Sequence, residues 1–410
     1  MTTISFHHNN PKPNNIHHQK GLIIEEIEGL IKVHKDGHVE RPQIVPNVSC
    51  KFPSENGVTS RDITINKETN LWTRVYLPTS TLTSHNNNNK LPLLVYFHGG
   101  GFCVGSVSWI CYHEFLNNLV LKANCVVVSV NYRLAPENRL PSAYDDAFNA
   151  LVWIKHEALY NKNQSWWLKH CNISSLFLCG DSAGANIAFN VVATRFGSNS
   201  NLNPLSLKGV ILIQPFFGGE ERTNCEKHLH QPQNSALSLS VSDIYWRLSL
   251  PIGVLVTRDH PYCNPLASGI AKLRDLRIPS IMICVSELDI LRDRNLEFSN
   301  CLVKAGKKVE TFVYKGVGHA FQVLHNYQLS HVRTQEMDNI LVWQRRCEDA
   351  LYSLLVIGAK RPVRHLASVA MAKIISKGDG ISIYSRASSL QGFLSDGKRS
   401  EPLKIAGLSN

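Results

Sequence analysis

The stretch that most constrains this chain of 410 residues runs from Ser174 to Gly197, with Leu176-Phe177-Leu178-Cys179-Gly180-Asp181-Ser182-Ala183-Gly184 at its centre. A short apolar run ends in Gly-x-Ser-x-Gly, and a helical spacing of Ile187, Ala188, Val191 and Val192 begins at once. The pattern reads as strand, sharp turn and helix. Glycine at 180 and 184 suits a turn too tight for Cβ atoms, which presents Ser182 at the end of a sheet strand with a helix N-terminus beneath it. Gly-x-Ser-x-Gly alone also arises by chance, so the neighbouring segments decide whether it carries chemistry.

An uncharged hydroxyl is a poor nucleophile; it needs a base, an acid to orient the base, and donors for the oxyanion formed on attack. Upstream, the apolar run Leu91 to Phe97 leads into His98-Gly99-Gly100-Gly101-Phe102, where backbone N–H groups free of side-chain cover can join that of Ala183 in facing a developing negative charge. Downstream, the run Ile278 to Val285 is followed by Glu287, Asp289 and Asp293. Glu287 still belongs to the strand's last pleat and Asp293 is carried off by a helix, so Asp289 is the favoured acid. A further strand, Val309 to Tyr314, leads into Gly316-Val317-Gly318-His319, where the glycines free the loop to bend. Serine, aspartate and histidine thus follow in that order, each just past a strand, where open parallel sheets place their sites.

From about Ile24 to Met337 the chain resembles the plant carboxylesterases of the hormone-sensitive-lipase group, a branch of the α/β-hydrolase superfamily that includes the gibberellin receptors. The resemblance rests on His98-Gly-Gly-Gly-Phe-Cys-Val-Gly-Ser106, Asn131-Tyr-Arg-Leu-Ala-Pro-Glu137, Gly180-Asp-Ser-Ala-Gly184, Asp289-Ile-Leu-Arg-Asp293 and Gly318-His-Ala-Phe321. It implies an α/β-hydrolase fold, with a mostly parallel sheet between helices. It also implies Ser182 as nucleophile, Asp289 as orienting acid, His319 as base, and His98, Gly99, Gly100, Gly101 and Ala183 as the oxyanion hole. The activity implied is hydrolysis of small-molecule carboxylic esters, without metal or organic cofactor. Two alternatives stay open. A hormone receptor on this fold resembles the chain with the histidine replaced, and a lyase or cyclase of plant specialised metabolism resembles it with threonine allowed at the nucleophile.

In chain order, residues 1–20 are His/Asn-rich and low in complexity, and disorder is expected there. Ile23 to Val33 carries apolar residues at a spacing that predicts an amphipathic helix of about three turns, which the resemblance makes part of a cap. Two alternating runs, Ser60 to Asn66 and Leu71 to Leu77, predict an edge hairpin. Cys125 to Val130 is continuously apolar, as a strand covered on both faces would be, and helical spacing follows at Ala147, Leu151 and Ile154. Arg133 and Glu137 are expected to tie loop backbone together. The sheet pattern pauses after Gln214, and the interval suits an inserted cap. The hydrolase domain is expected over 21–343, with cap contributions from about 21–56 and 217–262. Phe102, Asp181, Phe216, Tyr245 and Trp246 are the expected pocket residues.

Composition agrees. Eleven cysteines, odd in number and free of any Cys-x-x-Cys pair, fit a reduced cytoplasmic compartment, with the nucleus open. The N-terminus shows no apolar segment of a secretory signal, and no run approaches membrane-spanning length. Residues 344–410 hold 11 Lys plus Arg against 5 Asp plus Glu, and so carry +6 of the chain's net +11. The remaining +5 is too little to argue for nucleic acid or membrane partners. That basic extension is expected to be poorly ordered, and monomer or homodimer is left open.

Overall fold

Apolar runs separated by helical patterns bury themselves as strands of one sheet. The computed structural model describes residues 21–51, 57–83, 90–161, 164–196, 202–253 and 257–337. The expectations for 1–20 and 344–410 lie outside the described residues. The described residues form two units, which divide after Ile44.

In the first unit the helix expected over Ile23 to Val33 is instead a small antiparallel sheet of β1 (Ile23–Ile27), β2 (Ile31–His34) and β3 (Val39–Glu40). The apolar positions fit both periods, and local chemistry decides. Gly29, at φ +72°, turns the chain with Leu30 N–H donating to Ile27 O at 2.9 Å. The β-branched side chains of Ile27, Ile31 and Val33 are buried, while Glu26 and Lys32 pair across the strands at 2.9 Å.

The second unit opens with the expected hairpin, β4 (Val58–Asn66) and β5 (Leu71–Pro78), then α1 (Thr79–Thr83). Next come β6 (Leu91–Phe97), α2 (Ile110–Ala123), β7 (Val126–Asn131), α3 (Ser142–His156), β8 (Cys171–Asp181) and α4 (Ala183–Val191). β9 (Leu207–Ile213) is followed by an insertion bearing α5 (Asn224–His228), α6 (Leu239–Ser249) and α7 (Gly269–Asp275). β10 (Ser280–Ser286), α8 (Arg292–Lys304), β11 (Val309–Tyr314) and α9 (Phe321–Leu324) follow, and the described residues end in a helical stretch over 330–337.

The eight strands pair in the order β11-β10-β9-β8-β6-β7-β5-β4. β6 to β11 run parallel, and β5 and β4 close one edge antiparallel. The central strands are apolar because they are covered: Val126, Val127, Val128 and Val130 have no exposed surface. Burying each contributes roughly 1.5–3 kcal/mol relative to exposure, so a polar group there would be felt through the sheet. α2 packs on β5 and β7, α4 on β6, β8 and β9, and α8 on β10 and β11.

Arg133 has a structural partner outside its own loop. Its guanidinium and backbone N–H converge on Asp146, a fully buried carboxylate on α3, at 2.8 to 3.1 Å. The partner lies on the next helix rather than within the loop.

Candidate active site

The turn between β8 and α4 holds Ser182 at φ 52° and ψ −117°, a conformation that costs a non-glycine residue energy and persists because its surroundings fix it. A Cβ on Gly180 would lie 2.3 Å from Gly184 C, and one on Gly184 would lie 1.9 Å from Phe97 O. Both positions therefore exclude any larger residue. Ser182 N–H donates to Ile213 O at 2.8 Å, and Ser182 O accepts from Phe216 N–H at 3.0 Å. The serine backbone is stapled on both sides to the segment leaving β9.

His319 arrives from the loop after β11. Its Nε2 lies 2.8 Å from Ser182 Oγ and its Nδ1 lies 2.7 Å from Asp289 Oδ2. All three residues are buried, Asp289 completely. The second Asp289 oxygen accepts from Leu291 N–H at 3.0 Å, which fixes the carboxylate's orientation. The other two candidate acids are occupied elsewhere: Glu287 accepts from Gly316 N–H at 2.9 Å, and Asp293 accepts from Cys225 N–H at 2.8 Å. Such a chain of contacts can move a proton from a hydroxyl to an imidazole whose far side is held by a carboxylate.

Above the serine lies the loop after β6. The N–H groups of Gly100, Gly101 and Ala183 have no hydrogen-bond acceptor among the described residues. Gly99 departs from the expectation of an oxyanion donor, because its N–H is donated to Tyr112 Oη at 2.8 Å. His98 contributes a buried ring instead, stacked on Tyr132 at 4.3 Å, with Nδ1 2.8 Å from Gly99 O. Burial pushes its pKa down to about 4, so the ring is neutral at ordinary pH.

Asp181 also departs from the reading as a pocket residue. Its carboxylate accepts from Tyr96 Oη at 2.6 Å and Tyr112 Oη at 3.1 Å, beneath the glycine loop, and only 1% of the residue is exposed. The four aromatic pocket candidates do come together. Phe216 stacks on Trp246 at 4.5 Å, and Phe102 approaches Trp246 at 5.6 Å and Phe216 at 6.1 Å. Those three pack on one another and are nearly without exposed surface. Tyr245 reaches the glycine loop itself, for a Cβ on Gly101 would fall 2.3 Å from its Cγ.

Two buried polar residues were missed by sequence reasoning. Gln214 directly follows β9 at φ 48°, donates to Ser286 Oγ at 2.6 Å and accepts from Ala320 N–H at 2.7 Å, so one amide joins the β10 end to the residue after His319. Asn186 on α4 donates to Phe216 O at 2.9 Å and Tyr262 O at 2.8 Å, tying the serine's helix to the insertion. A polar amide closing the apolar run Val210 to Ile213 was the available signal for Gln214.

A mostly parallel sheet with a serine at the β8–α4 turn, an acid after β10 and a histidine after β11 is the arrangement of an α/β hydrolase. A family profile described as alpha/beta hydrolase fold matches residues 94–323, and one described as carboxylesterase family matches residues 40–137. The chain is 48% identical over 328 residues to the probable carboxylesterase 6 of Arabidopsis thaliana, which covers 80% of this chain and 92% of that protein. It is 36% identical over 315 residues to a 2-hydroxyisoflavanone dehydratase of Glycyrrhiza echinata, covering 74% of this chain and 91% of that one. Among solved structures, an esterase of Pyrobaculum calidifontis shares the fold at a TM-score of 0.56 and 24% identity, over 70% of this chain and 84% of that one. The chain belongs to the plant carboxylesterase family of the α/β-hydrolase fold.

Proposed function

We propose that the protein hydrolyses carboxylic esters of small molecules through an acyl-enzyme on Ser182. The observation that carries this reading is the unbroken contact from Ser182 Oγ through the His319 ring to Asp289, at 2.8 and 2.7 Å. Ser182 Oγ attacks the carbonyl carbon while its proton passes to His319 Nε2. Asp289 accepts from Nδ1 and stabilises the imidazolium. The N–H groups of Gly100, Gly101 and Ala183 receive the oxyanion, and collapse of the intermediate expels the alcohol with the proton held on His319. Water, deprotonated by His319, then attacks the acyl carbon, and the carboxylic acid leaves. Each role falls to a protein group, so the proposal includes no metal or organic cofactor. The insertion acts as the cap, with Tyr245 beside the reacting carbonyl.

The ten free cysteines of the described residues support a reducing cytoplasmic location. Among the described residues no helix is long and apolar enough to cross a membrane.

A fluorophosphonate probe tests the chemistry. Incubation with the full chain followed by mass spectrometry is expected to give one adduct on Ser182, and a p-nitrophenyl ester of a short acid a stoichiometric burst when deacylation is slower. Turnover without an adduct, on a substrate that loses water, would replace hydrolysis by a lyase reaction, in line with the dehydratase relative. Tight binding of a small acidic hormone with no turnover above Ser182→Ala would replace it by a receptor.

A further inference from the structure

Asp181 and Tyr112 have no part in the proton chain, yet both are buried, and they bond to each other and to the glycine loop. Tyr112 Oη accepts the Gly99 N–H at 2.8 Å and donates to Asp181 Oδ2 at 3.1 Å, while Asp181 Oδ1 accepts from Tyr96 Oη at 2.6 Å. Asp181 directly precedes Ser182 in the chain, and Gly99 directly precedes Gly100. Resting on the esterase reading above, we propose that Tyr112 and Asp181 are positioning residues that fix the oxyanion loop to the serine turn.

The backbone alone leaves this joint incomplete. β6 and β8 are paired in register up to Phe97 and Gly180, where the ladder ends. Beyond that point the loop needs other tethers to stay over Ser182. On the far side of the glycines Phe102 O accepts from Ala135 N–H at 2.9 Å. On the near side His98 O accepts from Tyr132 Oη at 2.8 Å, and the Gly99 N–H is held by Tyr112. Tyr112 is thus the side chain bonded to the N–H next to the donor pair, and its hydroxyl is held in turn by the residue next to the serine.

A carboxylate makes this relay stronger than two neutral bonds would be. An ionised Asp181 polarises the Tyr112 hydroxyl and makes its oxygen a better acceptor for the Gly99 N–H. The carboxyl is held against a desolvation penalty: burial raises its pKa from 3.8 to about 6, opposed by the hydrogen bonds of Tyr96 and Tyr112 and by His319. Retaining a buried carboxylate at that cost is hard to explain as packing. Because oxyanion donors act only when charge develops on the substrate oxygen, misplacing them lowers kcat with little change in KM.

Tyr96 supplies an internal control, since it donates to the same carboxylate but, among the described residues, has no hydrogen bond to Gly99 or Ser182. In the full chain, Tyr112→Phe is expected to lower kcat on a p-nitrophenyl ester by about 10- to 100-fold with KM within about twofold. Inactivation by a fluorophosphonate, whose phosphoryl oxygen takes the oxyanion's place, is expected to slow by the same factor. Tyr96→Phe is expected to lose as much thermal stability while keeping both rates within about threefold. Asp181→Asn is expected to lie between the two. Equal losses of kcat in Tyr112→Phe and Tyr96→Phe, or an unchanged kcat in a folded Tyr112→Phe, would overturn the proposal. If Tyr112→Phe does not fold, Asp181→Asn decides, and a loss no greater than that of Tyr96→Phe counts against it. Ser182→Ala, assayed alongside, separates the two readings: persistent turnover there defeats the acyl-enzyme itself, whatever the tyrosines do.

Discussion

The floor of the site and the insertion above it are built by different means. The floor bonds Ser182 to His319 and His319 to Asp289, Gln214 to Ser286 and Ala320, and Asp181 to Tyr96 and Tyr112, by hydrogen bonds of 2.6 to 3.1 Å, all between buried groups. The insertion is held by stacked aromatic rings on its inner side. On its outer side are ion pairs such as Arg222 with Asp243 at 2.6 Å, each side chain about a quarter exposed, and Arg258 with the same carboxylate. In the floor a misplaced atom changes the chemistry; in the insertion, water and neighbouring side chains absorb much of a change. On the proposed esterase reading, the floor would fix the reaction and the insertion would be free to fix the substrate.

Substitutions should therefore separate the two regions. The largest effect is expected from Ser182→Ala, which should cut ester turnover by about six orders of magnitude and leave a folded protein that still binds substrate. Steady-state rates with a binding measurement check this, and a variant that keeps its rate would break the comparison at its centre. Asp289→Asn should cost about four orders of magnitude, because the imidazole loses both its orienting charge and its tautomer. Asp293→Asn should cost less than about tenfold, since that carboxylate serves Cys225 rather than His319. Equal losses from both would mean that the acid acts through the wider field and not through contact.

Stability against pH sharpens the contrast. The Asp181 pKa is raised in the fold from 3.8 to about 6, so the native state binds the proton more tightly than the unfolded chain does. Its penalty is fully present above pH 6 and is relieved as pH falls toward 4. Wild type should thus gain stability relative to Asp181→Asn by up to about 3 kcal/mol over that window. Chemical denaturation of both proteins at several pH values measures the difference, and a gap that stays constant or moves the other way refutes the assignment. The smallest effect belongs to the insertion's outer side: Arg222→Ala should cost no more than about 1 kcal/mol, and less in high salt. A larger, salt-independent loss would show that the pair is structural in the manner of the floor.

Local signals made the contacts of the candidate site readable in the sequence. The strand before Gly180, the glycines at 99 to 101, and the loops carrying Asp289 and His319 each announce themselves within ten residues. What escaped depends on contacts between distant segments. Asp181 looked like a pocket residue because it adjoins Ser182, but at this strand end it reaches Tyr96, 85 positions away, and Tyr112, 69 away. Arg133 finds Asp146 on the following helix, 13 positions away. The first unit failed for another reason: Ile23, Ile27 and Ile31 satisfy a helical period and an alternating one alike, and Gly29 with the Glu26–Lys32 pair chooses between them.

The staple on the serine turn has a consequence for how such a protein can diversify. Ile213 and Phe216 grip Ser182 before the chain departs into the insertion, which returns only at Ser280. Rewriting the segment between Gly219 and Ile278 therefore keeps the two backbone bonds on Ser182, while the contacts that Tyr262 and Trp246 make with Asn186 and Phe216 would have to be replaced. If the proposed reaction holds, a lineage built on this plan could exchange one clientele of small molecules for another by rewriting some sixty residues, and inherit the serine turn unchanged.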